Sequence, residues 1–310
     1  MKFLHLIRYK NLLMLAFMQL IFRFDFYELQ KIDLALNNWQ YTLLVLSTVL
    51  IAAAGYVIND IFDQDTDAIN KPTKIIVGKS ISENNAYSIY AGLNITGVGI
   101  GFYLSNVIMK PSFATVFILI AATLYIYATS LKQMAFVGNI IVALVLSVSV
   151  IIIGVFDIYP ATSIENQGVM ANLFSVLLDY AIFAFMINLL REMIKDLEDI
   201  KGDDAQGMKT LPAILGVAKT SKLVFVLSFV PVISLLIYIN NYFVGNGLYF
   251  ATAYAFIFVL APLLFFTIKI ASNNTKQGFH TLSSLLKWIL FFGILSIIII
   301  TLNIKYNATR

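Results

Sequence analysis

Apolar residues come in long blocks along this chain. Runs able to cross a ~30 Å hydrocarbon core lie at about 11–22, 41–58, 86–105, 112–131, 137–156, 173–190, 221–240, 248–268 and 285–304. Between them stand short polar connections, the two longest at about 59–85 and 191–220. The pattern predicts an all-α polytopic membrane protein of nine transmembrane helices in a bundle, with two Asp-rich cytoplasmic loops. No Pro/Gly/Ser linker or low-complexity stretch divides it, so residues 1–310 are expected to form one integral membrane domain. The first run follows Arg8 and Lys10 as a signal peptide would. It lacks a small-x-small cleavage site and leads into further spans, which predicts a retained helix.

Charge orients the bundle. With the N-terminus inside, only Arg23, Lys31, Lys110, Lys305 and Arg310 of the 21 basic residues fall on the outer side. Cytoplasmic loops carry the excess of Lys and Arg, so the expected topology is N-in and C-out, in the cell membrane. Composition agrees: 60% of residues are hydrophobic and 12% charged, with a mean hydropathy of +0.85. A net charge of +4 is explained by anchoring at the inner leaflet and calls for no nucleic acid. The absence of Cys excludes disulfides, thiolate metal sites and cysteine nucleophiles.

Both long polar connections hold the same acidic pattern. Asp60/Asp63/Asp67 and Asp196/Asp199/Asp203 each have i, i+3, i+7 spacing behind an apolar run. On a helix this gathers three carboxylates within roughly 60° of one face. Four helices separate the two clusters, so a weak internal repeat is expected, its two halves turning their acidic faces together. Opposed carboxylate triads without imidazole or thiolate suit a hard cation such as Mg²⁺, shared with a substrate phosphate. A diphosphate is the natural bridge, and Lys71, Lys74, Lys132 and Lys209, with the Asn59 amide, are candidates to hold it.

Blander readings compete. An Asp-rich connection is ordinarily a solvated loop with helix caps, but two equal triads on one side are poorly explained so. Lysines at the inner face serve topology alone, and Arg191 and Lys195 are expected to pair with Glu192, Glu198 or Asp199. The faces of Tyr56, Tyr125 or Tyr127 could steady a carbocation, yet 14% aromatic content makes packing the better account. Gly97, Gly99 and Gly101 predict close helix packing. His5 and His280 stand too far from the triads in sequence to be assigned a role.

These residues resemble the UbiA superfamily of intramembrane prenyltransferases. Asn59-Asp60-Ile-Phe-Asp63-Gln-Asp-Thr-Asp67 matches its NDxxDxxxD signature. Arg191 to Asp203, followed by Gly207 and Thr210-Leu211-Pro212, is similar to its second motif, with Asp199 and Asp203 as DxxxD. The resemblance implies a polyprenyl diphosphate bound through Mg²⁺ on both Asp motifs, ionised toward an allylic cation and passed to an acceptor. It implies metal ligation and catalysis by Asp60, Asp63, Asp67, Asp196, Asp199 and Asp203. Asn59, Lys71, Lys74, Lys132 and Lys209, with Tyr127, would bind the diphosphate. Tyr127 and Lys132 resemble the family's Tyr/Lys pair, one residue further apart than YxxxK. Asn70-Lys71-Pro72-Thr73-Lys74-Ile75 stands where N-R-P-x-R-P is common, which keeps charge and loses bidentate geometry.

The run from Arg191 to Gly216 most resembles the branch that alkylates geranylgeranylglyceryl phosphate. Relatives that prenylate aromatic acids for quinone synthesis share most of the same residues. Expected partners are therefore a polyprenyl diphosphate, a lipid or aromatic acceptor and membrane lipid, with no protein partner evident. A cation transporter is the alternative of another class, because repeated half-bundles with intramembrane carboxylates bind ions. Against it, these acids sit at helix ends among a surplus of lysines.

Overall fold

The computed structural model describes residues 2–29 and 32–308, so Lys31 and Arg310 lie outside the described residues. The described residues form no strand, only isolated bridges at Val77–Ile81 and Met134–Lys209. In chain order the helices are α1 (Lys2–Leu6), α2 (Tyr9–Ile21), α3 (Asn38–Phe62), α4 (Gln64–Asn70), α5 (Glu83–Val107), α6 (Ala114–Thr129), α7 (Val137–Ile153), α8 (Gln167–Ala205), α9 (Leu211–Leu215), α10 (Val217–Tyr238), α11 (Tyr249–Ala255), α12 (Ala261–Ile270) and α13 (Lys276–Ala308). A π-helical turn, Phe256–Leu260, joins α11 to α12. The protein is all-α, as its apolar blocks require.

The exact count of nine spans is not confirmed. Seven helices among the described residues are long and apolar enough to cross a membrane, and they coincide with seven of the nine predicted runs. The run at 11–22 falls on α2, only 13 residues before a π-helical turn at Phe22–Tyr27. That at 86–105 falls on α5, whose 25 residues are diluted by Asn94, Asn106 and several glycines.

The Asp-rich loops are also corrected. Asp60 lies inside α3, Asp63 occupies the break before α4 at φ −91°, ψ 2°, and Asp67 lies on α4. Asp196, Asp199 and Asp203 all lie within α8, which runs 39 residues without interruption. At 1.5 Å per residue α8 is roughly 58 Å long, about twice the hydrocarbon thickness. Its polar end stays helical because charged neighbours pair along it, Lys195 Nζ standing 2.8 Å from Glu192 Oε1 at i, i+3. A change to polar composition therefore marked the exit from apolar surroundings, not the end of the helix.

Two large buried cores, with two smaller ones beside them, hold the bundle. One joins α2, α3 and α5–α8 around Phe22, Tyr41, Phe117 and Phe156. The other joins α8, α10, α12 and α13 around Leu263, Phe266 and Leu286. α8 belongs to both. α3 begins with a capping box, the Asn37 side chain accepting from Gln40 N while the Gln40 side chain accepts from Asn37 N. It packs closely on α5 at Gly97, where a Cβ would stand 2.8 Å from Ile51 Cγ1 and 3.2 Å from Ser47 O. Gly101 makes the same allowance for Phe117, whereas Gly99 faces open space.

Candidate active site

All six aspartates of the two triads line one open cavity of about 970 Å³, lined mainly by α2, α3, α6, α7, α8 and α13. The C-terminal ends of α3 and α8 thus meet at the same end of the bundle. Asn59, Lys71, Lys74, Tyr127 and Lys132 line it too. Lys209 does not: Gly207 turns the chain at φ +66°, and Lys209 N then donates to Gln133 O at 3.0 Å, leaving its side chain exposed. The expected role of Lys209 is withdrawn on that geometry.

Cations hold the carboxylates in place. Lys71 Nζ stands 2.6 Å from Asp199 Oδ2 and 3.8 Å from Asp67 Oδ1, touching one member of each triad. Lys132 pairs with Asp63, which also accepts from Asn59 Nδ2 at 2.5 Å. Arg8 Nη2 is 2.8 Å from Asp60 Oδ1, its guanidinium stacked 4.9 Å over the Tyr56 ring. Asn139 Nδ2 donates to Asp196 Oδ2 at 2.8 Å. Burial opposes the charge on Lys71, but Asp199 and Asp67 outweigh it and raise its pKa above the ordinary lysine value. Burial likewise lifts Asp67 above the usual carboxylate range, against the pull of Lys71.

The two motifs are fastened through α4. Asn70 Nδ2 donates to Asp199 O at 2.7 Å, and its Oδ1 accepts from Gly202 N at 3.0 Å. Position 202 must be glycine for this approach, since a Cβ there would fall 2.3 Å from Asn70 Nδ2 and 2.8 Å from Thr66 O. From the first turn of α13, Lys276 Nζ donates to Asn70 O at 2.9 Å, satisfying a carbonyl at the end of α4.

Away from this polar end the cavity is apolar. Leu15, Ile51, Phe117, Leu124, Val145 and Ile152 line it, and on α3 the lining runs from Asp63 back to Thr48, roughly 22 Å at 1.5 Å per residue. One end is charged and the other is greasy.

Among the described residues, no group of three or more acidic or histidine side chains is arranged to hold a metal ion; cations or amides pair with one oxygen each of Asp60, Asp63, Asp196 and Asp199. One oxygen is different. Asp199 Oδ1 is buried without a hydrogen-bond partner, a costly state that a bound cation would relieve. The donor set consists of hard oxygens, which suits Mg²⁺.

Residues 31–303 match the model of the UbiA prenyltransferase family. The chain belongs to this family. A digeranylgeranylglyceryl phosphate synthase from Thermococcus sibiricus is 31% identical over 258 residues, 83% of either chain. Among solved structures, a UbiA homolog from Aeropyrum pernix K1 aligns with a TM-score of 0.65 at 16% identity, covering 96% of this chain and 98% of its own. A UbiA homolog from Archaeoglobus fulgidus bound to GPP and Mg²⁺ aligns with a TM-score of 0.60 at 15% identity, covering 96% and 99%. The protein is therefore an integral membrane prenyltransferase of the UbiA family, and the cation-transporter alternative falls.

Several residues of this UbiA-family cavity escaped the sequence reading. Arg8 lies 52 positions before its partner Asp60, and nothing local to an N-terminal Arg singles it out. Asn139, which holds Asp196 without lining the cavity, did carry a signal, a polar side chain inside an apolar run. His280, set aside for its sequence distance, lines the cavity with Nδ1 2.9 Å from Glu198 Oε1. Arg191 and Lys195 pair as expected, and the shared partner is Glu192, at 3.3 and 2.8 Å.

Proposed function

We propose that this prenyltransferase, working as a single domain, moves a geranylgeranyl group from its diphosphate to the free hydroxyl of geranylgeranylglyceryl phosphate. The observation that carries the reading is Lys71, touching both acidic motifs at the charged end of a cavity whose other end is apolar. A prenyl diphosphate has that same polarity.

In this reading Lys71, Lys74 and Lys132 bind the diphosphate oxygens, with the Asn59 amide and the Tyr127 hydroxyl beside them. Asp60, Asp63, Asp67, Asp196, Asp199 and Asp203 are the residues that would hold Mg²⁺, which offsets the diphosphate charge and stabilises it as it leaves. The apolar lining holds the prenyl chain straight and keeps water from the ionising carbon. The bond from C1 of the donor to the diphosphate oxygen breaks, its electron pair leaving with the diphosphate. A new ether bond forms from the acceptor hydroxyl oxygen to C1, and the hydroxyl proton is released to water or to a carboxylate of the site.

The synthase name borne by the Thermococcus relative supports the acceptor, and the GPP- and Mg²⁺-bound Archaeoglobus structure supports the donor class and the ion. The basic residues support a cytoplasmic N-terminus and catalytic end. Membranes containing the protein should join radiolabelled geranylgeranyl diphosphate to geranylgeranylglyceryl phosphate, and a chelator should stop the reaction until Mg²⁺ is restored. Product with hydroxybenzoate or dihydroxynaphthoate, and none with the glyceryl phosphate, would refute the acceptor assignment and favour the quinone-forming branch.

A further inference from the structure

A second cluster of charge lines the same cavity but pairs with none of the six aspartates. Lys287 on α13 donates to the neutral Asn11 Oδ1 at 2.6 Å, and no carboxylate among the described residues lies within 4.0 Å of its ammonium. Arg191 shares the single Glu192 carboxylate with Lys195, and Arg191 Nε is buried with no partner. Three cations thus face one nearby acid. Partly buried positive charge of this kind is costly unless an anion arrives to match it.

The cluster stands at a junction. Asn11, Tyr56, Arg191 and Lys287 line both the main cavity and a smaller one of about 130 Å³ between α2, α8 and α13. Beyond them the smaller cavity is apolar, walled by Met14, Met18, Phe183 and Leu290. A charged head opening onto a greasy branch repeats, on a smaller scale, the polarity of the donor cavity. The aspartates and their lysines are absent from its lining, so a second anion here would not compete with the diphosphate.

We infer that Arg191 and Lys287 bind the phosphate of the acceptor lipid, whose apolar chain enters the branch between α2, α8 and α13. This rests on the proposed reaction and deepens it. A planar guanidinium offers a fork of donors and an ammonium a point charge, the pairing that suits a phosphate monoester. Held there, the phosphate is a fixed handle from which the acceptor hydroxyl is aimed at the donor carbon.

Steady-state kinetics with both substrates varied test the assignment. K287Q should raise KM for geranylgeranylglyceryl phosphate at least tenfold while KM for geranylgeranyl diphosphate changes less than twofold. G293L acts independently, because a Cβ at Gly293 meets only Phe183 Cε1, at 3.8 Å, and a larger side chain fills the branch. It should raise KM for the long-chain acceptor and spare a short-chain glyceryl phosphate, and it carries the test if K287Q does not fold. An unchanged acceptor KM in either folded variant, or an equal rise for the donor, overturns the assignment while wild-type turnover keeps the reaction. No wild-type turnover of the glyceryl phosphate lipid overturns both.

Discussion

Asp63 and Asp199 are the two side chains around which the site closes. Asp63 is held by Lys132 and Asn59, and Asp199 by Lys71 with one oxygen left unpaired. Each is proposed to act where charge changes most during ionisation. Replacing either by Ala should lower kcat by roughly 10²–10³-fold or more, the scale of losing a preorganised electrostatic group. The folded bundle should survive, as judged by a monodisperse elution profile and a cooperative melt. Mg²⁺-dependent turnover retained in both variants would count heavily against these roles. The spacing of the aspartates made them legible, since it depends only on residues a few positions apart. Arg8 and Lys287 reach the cavity, and Asn139 reaches Asp196, from distant parts of the chain, so their relevance depends on which helices become neighbours. Lys209 shows the reverse error: it is near the second motif in sequence, yet one glycine turn carries it off the cavity.

At the level of elements, the decisive contact is between α4 and α8. Gly202→Val should push Asn70 and Thr66 away, separating the motifs at a cost of about 1–3 kcal/mol for an overpacked contact. The expected result is a lower melting temperature together with loss of activity, and a variant as stable and active as wild type would show that the contact is dispensable. The opposite end of the bundle offers a contrast. Asp157 is fully buried, 2.7 Å from Arg23 Nη1, and accepts from Leu36 N at 3.0 Å. Asp157→Ala leaves Arg23 without its carboxylate and should cost about 3–5 kcal/mol, read as thermal unfolding in detergent. Because none of these residues lines the cavity, KM values at a temperature where the variant is folded should remain near wild type. Helix lengths were only partly legible. The end of α8 was placed near residue 190 from hydropathy, and the pairing of Glu192 with Lys195 carries the helix on to Ala205.

For the whole molecule the open quantity is orientation. Lys79 precedes α5 and Lys110 follows it, so the two residues mark opposite ends of one helix. The chain has no Cys, which gives a clean background for single-cysteine labelling. In intact cells an impermeant maleimide should label Lys110→Cys and reach Lys79→Cys only after the membrane is opened. The inverse pattern would reverse the proposed sidedness and place the catalytic end outside. Such labelling also bears on the number of crossings, because α5 has the length of a span without the hydropathy of the other seven.

Sequence by itself determined the solvent and the chemistry. Long apolar blocks require helices in lipid, because unpaired backbone groups are intolerable there, and two evenly spaced acidic motifs among lysines, without Cys, point to chemistry of hard cations and phosphate. Those are local properties of composition and period. Tertiary structure alone decided that the two motifs share one cavity, that Lys71 spans them, that Arg8 and Asn139 join them, and that Arg191 and Lys287 remain a surplus of positive charge. Each of these is a matter of distance between helices, and distance between helices is set by packing, such as the bare face of Gly202 against Asn70, which no single segment encodes.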